Sequence, residues 1–416
     1  MRLSRRVCAL KPSSTLAVGA KAAELRAHGV EVLTFATGEP DFDTPRAITE
    51  AACASLRAGN THYSPVPGDK NCREAIAQKL REENGIPEVT SEHVVVSAGG
   101  KQSLHHVFHA LLDPPVSDEA PPEVVLPVPA WVSYAPQIQL AGGVVVEVVT
   151  DASSDFKATP DQIRQAISEN TRAIVLNSPS NPCGTMYTPD ELRAIAAVIA
   201  EAAATTCPDI VIISDEIYEK IILGSDPFLS VGSIPEVADR TITINGLSKA
   251  YAMTGWRVGY LAGSGAFGLS IAGAVKKLQG QSTTSIPGFI MDAIPVALRE
   301  CGDEVERMRQ AFVQRGRVMY EAVSQIPGLV CPEPTGAFYV FPDVSAHFGK
   351  TSEGGRTVNA AADFATALLE EKHVAVVPGE DFGTGAEKCL RLTFACSEAQ
   401  IVEGVKRLRA FVEGMR

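Results

Sequence analysis

Apolar positions along the chain fall into short β-branched runs separated by longer stretches of helical spacing. The runs at 94–97, 124–126, 144–149, 173–177, 210–214, 241–245 and 258–262 are rich in Val and Ile with few polar interruptions, the pattern of strands covered on both faces. Helices are predicted between them. The clearest cover 159–169, where Thr159-Pro160 supplies a cap and first turn, and 188–203, where Pro189, Asp190 and Glu191 suit a helix start. This alternation predicts an α/β fold, a mostly parallel central sheet covered by helices. After about residue 302 the pattern changes to a long helix over 304–324, short strands around 337–341 and 374–377, and a final helix over 398–413. That succession predicts a smaller α+β lobe.

The chain has 416 residues, more than a single hydrophobic core usually serves, which fits a large body with a lobe packed on it. With 45% hydrophobic and 21% charged residues it has the interior of a folded globular protein. A net charge of −12 opposes nucleic acid and anionic lipid as partners, so any anionic ligand needs a local pocket of arginine or lysine. Nine cysteines, odd in number and never spaced C-x-x-C, point to a reducing compartment. The basic start lacks the apolar run of a secretory signal, and no stretch reaches the ~18 apolar residues of a membrane span. A cytoplasmic protein is expected. The Pro- and acid-rich segment 114–123 reads as a solvated loop.

In open α/β sheets ligands bind beyond the carboxyl ends of the strands, so the residues following each apolar run are the candidates for chemistry. Val94-Val95-Val96 leads into Ser97-Ala98-Gly99-Gly100-Lys101, and Ile174-Val175-Leu176 into Asn177-Ser178-Pro179-Ser180-Asn181. Val211-Ile212-Ile213 leads into Ser214-Asp215-Glu216-Ile217-Tyr218, and Thr241-Ile242-Thr243-Ile244 into Asn245-Gly246-Leu247-Ser248-Lys249. A glycine turn, an amide, a carboxylate and a lysine are thus delivered to one rim.

Each element alone has an ordinary explanation. Gly99-Gly100 opens a predicted helix over 100–112 and offers free N–H groups to a phosphate, but is equally a plain tight turn. Arg257 is a second phosphate candidate, or a surface ion pair. Lys249 follows an apolar strand, where partial burial lowers an amine pKa and favours a Schiff base, but a lone lysine is more often solvated. Asp215 ends an apolar run and needs a cationic partner, unless it caps a helix. Taken together they form one device: an amine for an aldehyde, a carboxylate for a ring nitrogen, Asn181 and Tyr218 as donors to a phenolic oxygen, and phosphate ligands. Pyridoxal 5′-phosphate is the cofactor that needs all four.

Asn245-Gly246-Leu247-Ser248-Lys249, continued by Ala250-Tyr251-Ala252-Met253-Thr254-Gly255-Trp256-Arg257, resembles the lysine signature of class I, fold-type I aminotransferases. Asn177 to Gly184 and Ser214 to Tyr218 resemble the family's other two blocks, and Thr37-Gly38-Glu39-Pro40-Asp41-Phe42 and Arg391-Leu392-Thr393-Phe394 extend the likeness toward both ends. Lys11-Pro12-Ser13-Ser14-Thr15, Gly99-Gly100-Lys101-Gln102 and Trp131-Val132-Ser133-Tyr134 are most similar to the bacterial aspartate/prephenate group. The resemblance implies an N-terminal arm (1–14), a first piece of the small domain (15–46), a large cofactor-binding domain (47–302) and a small C-terminal domain (303–416).

It further implies that Lys249 forms the Schiff base and later moves protons, Asp215 pairs the ring nitrogen, Asn181 and Tyr218 bond the ring oxygen, and Trp131 stacks on the ring. Gly99, Gly100, Lys101, Ser248 and Arg257 would surround the cofactor. Tyr63 would reach the phosphate of the partner subunit in a homodimer. Arg391, with Gly38, Trp131 and Asn181, would receive the substrate α-carboxylate, and Lys11 and Lys101 the distal carboxylate of an acidic substrate. Gly246 stands where many relatives carry serine, and Ser248 is the substitute. The implied activity is ping-pong transamination between aspartate or glutamate and a 2-oxo acid: 2-oxoglutarate, oxaloacetate or prephenate. Transamination of alanine or aromatic amino acids, and C–S β-elimination, are the alternatives within the cofactor class.

Three other readings compete. Gly263-Ser264-Gly265-Ala266-Phe267-Gly268 is a literal G-x-G-x-x-G after a strand, but the acidic residue about 20 positions on that a dinucleotide site wants is missing. His105 and His109 have the spacing of metal ligands, with His106 alongside, but no Glu or Cys completes a site, so no metal is expected. An effector-sensing regulator lacks a basic DNA-binding part.

Overall fold

A computed structural model describes residues 3–10, 14–115 and 120–416. In chain order its strands are β1 (Leu33–Thr34), β2 (Val95–Ala98), β3 (Glu123–Val128), β4 (Val144–Val149), β5 (Thr171–Asn177), β6 (Val211–Asp215), β7 (Thr241–Gly246), β8 (Val258–Gly263), β9 (Tyr339–Val340), β10 (Val374–Ala375), β11 (Val377–Pro378) and β12 (Leu390–Thr393). The seven expected apolar runs are β2 to β8, and they form one seven-stranded sheet in the order β2-β8-β7-β6-β5-β3-β4. Every residue of β6, β7 and β8 is buried, as the unbroken apolar runs require.

β8 alone runs antiparallel to its neighbours β2 and β7. The carboxyl ends of β2, β3, β5, β6 and β7 therefore share one rim with the amino end of β8, which brings Arg257 to that rim. The same reversal sends the G-x-G-x-x-G turn to the opposite rim. There, a Cβ on Gly268 would lie 2.1 Å from the Gly263 carbonyl oxygen. These glycines seat the helix Gly265–Gly280 against the end of β8, and the dinucleotide reading is set aside.

The helices begin where their caps predict. Thr159 and Thr188 each form a reciprocal capping box, with Gln162 and Glu191 respectively. The first helix is shorter than expected, Pro160–Ala166, because Ser168 and Thr171 side chains take backbone N–H groups at Asn170 and Ser168 and close a turn in its place. The long helix spans Gly302–Ser324 and the last one Glu398–Glu413. The expected strand at 374–377 is two: β10 lies parallel to β1, and β11 antiparallel to β12. The strand expected over 337–341 shrinks to Tyr339–Val340, since Ala337 has φ 57° and leaves the extended region.

Three apolar clusters line the large sheet, and a fourth is built chiefly from residues 308–412. That fourth core also contains Phe35, from just after β1, and Tyr218 and Ile221, from just after β6. Phe35 is fully buried against the last helix, where a Cβ on Gly404 would meet its ring at 2.3 Å. The turn 216–221 therefore joins the rim of the large sheet to the C-terminal body. All nine cysteines are free, and among the described residues no helix is long and apolar enough to cross a membrane.

Gly268→Ala is expected to cost about 1–3 kcal/mol, because the opposing atoms are backbone and cannot step aside. The midpoint of denaturant unfolding checks it.

Candidate active site

At the carboxyl end of β2 the chain turns through Gly99 (φ +84°) into the helix Gly100–Leu111. A Cβ at Gly99 would lie 2.4 Å from Arg257 Nη2, so glycine is required both for the turn and for the guanidinium that rests on it. Arg257 also has positive φ, 59°, and donates to the carbonyls of Thr254 (2.9 Å) and Ala98 (3.3 Å). The approach of these segments depends on two more glycines. A Cβ on Gly259 would lie 2.2 Å from Gly100 N, and one on Gly246 2.6 Å from the Val258 oxygen. Serine at 246 is thereby excluded by packing, whereas Ser248 is buried beside it. Helix N–H groups and a guanidinium at one point make an anion cradle.

Asp215 ends β6 and is 5% exposed. Tyr134 Oη donates to its Oδ2 at 2.7 Å and the Ile217 N–H to its Oδ1 at 3.3 Å. Burial pushes its carboxyl up to about 6, against the Tyr134 hydrogen bond, which pulls it down. Trp131 packs edge to face on Tyr134, with ring centroids 5.3 Å apart, and Lys101 Nζ lies 4.9 Å from the Trp131 ring. Burial, then the Arg257 charge, lowers the Lys101 pKa.

Lys249 Nζ donates to the Gly38 carbonyl at 2.6 Å. Burial, then the charge of Arg391, lowers its pKa to about 8, against attraction from Glu39 and Asp215. Arg391 is 4% exposed, donating from Nη1 to Asn181 Oδ1 (3.0 Å) and from Nη2 to the Ala36 carbonyl (2.9 Å), while its Nε is buried without a partner. Among the described residues no carboxylate forms an ion pair with Arg391, Lys249 or Arg257. A buried guanidinium so placed is a receptor for an incoming carboxylate.

The structure therefore brings Gly38, Gly99, Gly100, Lys101, Trp131, Asn181, Asp215, Tyr218, Ser248, Lys249, Arg257 and Arg391 to one region between the sheet rim and the C-terminal body. Tyr63 is not among them. It stands 96% exposed. Lys11 lies outside the described residues. His105 and His109 stack at 4.2 Å between ring centroids, and His109 Nδ1 bonds the His105 backbone carbonyl, so their spacing serves the helix.

Two residues were not anticipated. Tyr134 was visible only as part of a motif, and its position at the first turn after β3 was the available signal. Tyr339, whose Oη is 2.9 Å from that of Tyr218, comes from an antiparallel strand of the C-terminal body that no pattern ties to the rim.

Residues 30–408 match the family model described as aminotransferase class I and II. The chain is 41% identical to an aspartate aminotransferase of Geobacillus stearothermophilus over 99% of both chains. It is 40% identical to an aspartate/prephenate aminotransferase of Cereibacter sphaeroides, again over 99% of both. Among solved structures, the aspartate aminotransferase from Rhizobium meliloti superposes with TM-score 0.92 at 33% identity, covering 100% of both chains. That from Thermus thermophilus with maleate gives 0.88 at 40% identity, covering 99% of this chain and 100% of the other.

Because burial lifts Asp215 in the cofactor-free fold, the folded chain keeps there a proton that the unfolded chain releases at lower pH. The stability due to this proton, at most about 3 kcal/mol, is lost as pH rises from the ordinary 3.8 to about 6. Asp215→Asn in the cofactor-free protein is expected to flatten that decline, measured as denaturation midpoint against pH. Glu216, also pushed up by burial, to about 7, titrates in both proteins and cancels in the comparison.

Proposed function

The chain belongs to the class I and II aminotransferases, which depend on pyridoxal 5′-phosphate, and from that membership we propose that it moves the amino group of aspartate or glutamate to a 2-oxo acid: 2-oxoglutarate, oxaloacetate or prephenate. The observation that carries the reading is Arg391, a buried guanidinium without a carboxylate partner, set among Asn181, Tyr339 and Ala36. The names of the relatives and the maleate in the Thermus thermophilus structure support a dicarboxylic substrate. Lys101, a cation near Trp131, is the described residue suited to the distal carboxylate or to the cofactor, and Lys11 is assigned beside it from the sequence alone.

The donor set fits the cofactor. The Gly99–Gly100 turn, Ser248 and Arg257 would hold the phosphate, Asp215 the protonated ring nitrogen, Asn181 and Tyr218 the ring oxygen, and Trp131 would cover the ring. Asn181 has its Oδ1 engaged by Arg391, which leaves its Nδ2 for the ring oxygen. When bound, the cofactor takes up the electron pair left at the substrate α-carbon. Asp215, held by Tyr134, keeps the ring nitrogen charged. Arg391 and Gly38 fix the α-carboxylate, so the proton leaves from a defined direction. Lys249 Nζ would accept the α-proton and, from the same tether, deliver it to the cofactor's aldehyde carbon, and its lowered pKa leaves part of it as neutral amine near neutral pH. The release of one product before the second substrate binds gives ping-pong kinetics.

Tyr63 is read as serving the phosphate of a second copy in a homodimer, a role that suits an aromatic residue 96% exposed on its own chain. Nine free thiols support a cytoplasmic enzyme.

The purified yellow enzyme is expected to lose its visible band on addition of L-aspartate or L-glutamate and to regain it with oxaloacetate, 2-oxoglutarate or prephenate. Conversion by alanine or aromatic amino acids alone would overturn the substrate assignment. Lys249→Ala is expected to abolish both turnover and the visible band, and an active, coloured variant would refute the role of the lysine.

A further inference from the structure

We infer that Tyr339 aims the hydroxyl proton of Tyr218 at the cofactor's ring oxygen, which makes it a positioning residue of this site. The inference rests on the reading above that Tyr218 faces that oxygen.

Tyr339 lies on β9, opposite Thr393 of β12, the strand that carries Arg391. It is 1% exposed. Its Oη is 2.9 Å from Tyr218 Oη, the rings meeting edge to face at 83°. Among the described residues this is the one hydrogen bond formed by either hydroxyl. Two loops clear space for the residue. A Cβ on Gly38 would lie 2.8 Å from Tyr339 Oη, and one on Gly184, which has φ +74°, would lie 2.0 Å from the Tyr339 carbonyl oxygen. The Arg391 guanidinium lies 4.9 Å from its ring centroid.

A phenol has one proton to give and lone pairs to accept with. Burial pushes both tyrosines above their ordinary values, so both keep their protons. One of those two protons makes the bond between them. Were it Tyr218's, that hydroxyl would turn only lone pairs toward the ring oxygen of the cofactor. With Tyr339 as donor, the Tyr218 proton is released toward the ring oxygen, a charged and therefore better acceptor. The two bonds then point the same way, and each polarises the other in a site shielded from water. Phenylalanine at 339 would keep the ring, the contact with Arg391 and the packing, and remove only the donor.

The test uses holoenzyme with Tyr339→Phe, Tyr218→Phe and both together. Two quantities are read besides turnover: the pH at which the visible band of the lysine-bound cofactor titrates, and the rate of cofactor release. A weaker bond to the ring oxygen favours its protonated form. Tyr339→Phe is therefore expected to move the titration to higher pH and to speed release by up to about fivefold, the effect of weakening one charge-assisted hydrogen bond by a fraction of its worth. In the Tyr218→Phe background it is expected to change neither, because Tyr339 acts through that hydroxyl. Thermal unfolding of the cofactor-free variants, expected near wild type, controls for folding. If Tyr339→Phe leaves both quantities unchanged while Tyr218→Phe moves them, or if its effect persists in full without the Tyr218 hydroxyl, the inference is wrong. If Tyr218→Phe itself moves neither, the assignment of Tyr218 fails, and the inference with it.

Discussion

The site depends on how closely three backbone segments approach where β8 enters the sheet against the direction of its neighbours. Gly99, Gly246 and Gly259 are the residues that allow it, since a Cβ on any of them would fall 2.2–2.6 Å from atoms of the facing segment. Because β8 is reversed, the loop carrying Lys249 leaves β7 at the rim, and Arg257 returns to the same rim at the start of β8. The guanidinium then rests on the glycine turn that opens the next helix. Lys249 and the anion cradle are fixed relative to each other by main-chain contact, and side-chain packing only refines their positions.

Electrostatics explains how an acidic protein receives an anionic ligand. The net charge of −12 belongs to the surface, where many carboxylates are matched with lysine or arginine in exposed pairs of small individual value. The site has the opposite character. Lys249 and Arg391 lie in low-dielectric surroundings without an ion-pair partner among the described residues, and the buried carboxylate of Asp215 is held by Tyr134. A cation so placed is destabilising until an anion arrives, and a carboxylate of the proposed substrate would complete it.

Much of the large sheet was legible in the sequence, because unbroken Val and Ile runs report strands buried on both faces whatever their partners. Their direction was less so, and the reversed β8 made a glycine pattern look like a nucleotide turn when its glycines serve helix packing. Strand ends located Asp215, Asn181, Lys249 and the glycine turn. The C-terminal body was harder, since β9 to β12 are two to four residues long and their pairings join distant segments. Tyr339 was hidden for that reason. Tyr134 falls within the motif Trp131-Val132-Ser133-Tyr134, but nothing in its neighbours tells that its hydroxyl points at Asp215.

The burial of Phe35 against Gly404 concerns the order in which the molecule is made. Phe35 leaves the ribosome long before the helix Glu398–Glu413 that covers it. Through most of translation this aromatic residue, with the β1 strand before it, lacks its native cover, and a contact spanning nearly the whole chain is slow to form. The sheet of the large body can assemble as it emerges, but the C-terminal core closes only once the helix Glu398–Glu413 has emerged as well. Tyr218 and Tyr339 belong to that core, and Arg391 lies on β12 between two of its residues, so the site is incomplete until the core closes.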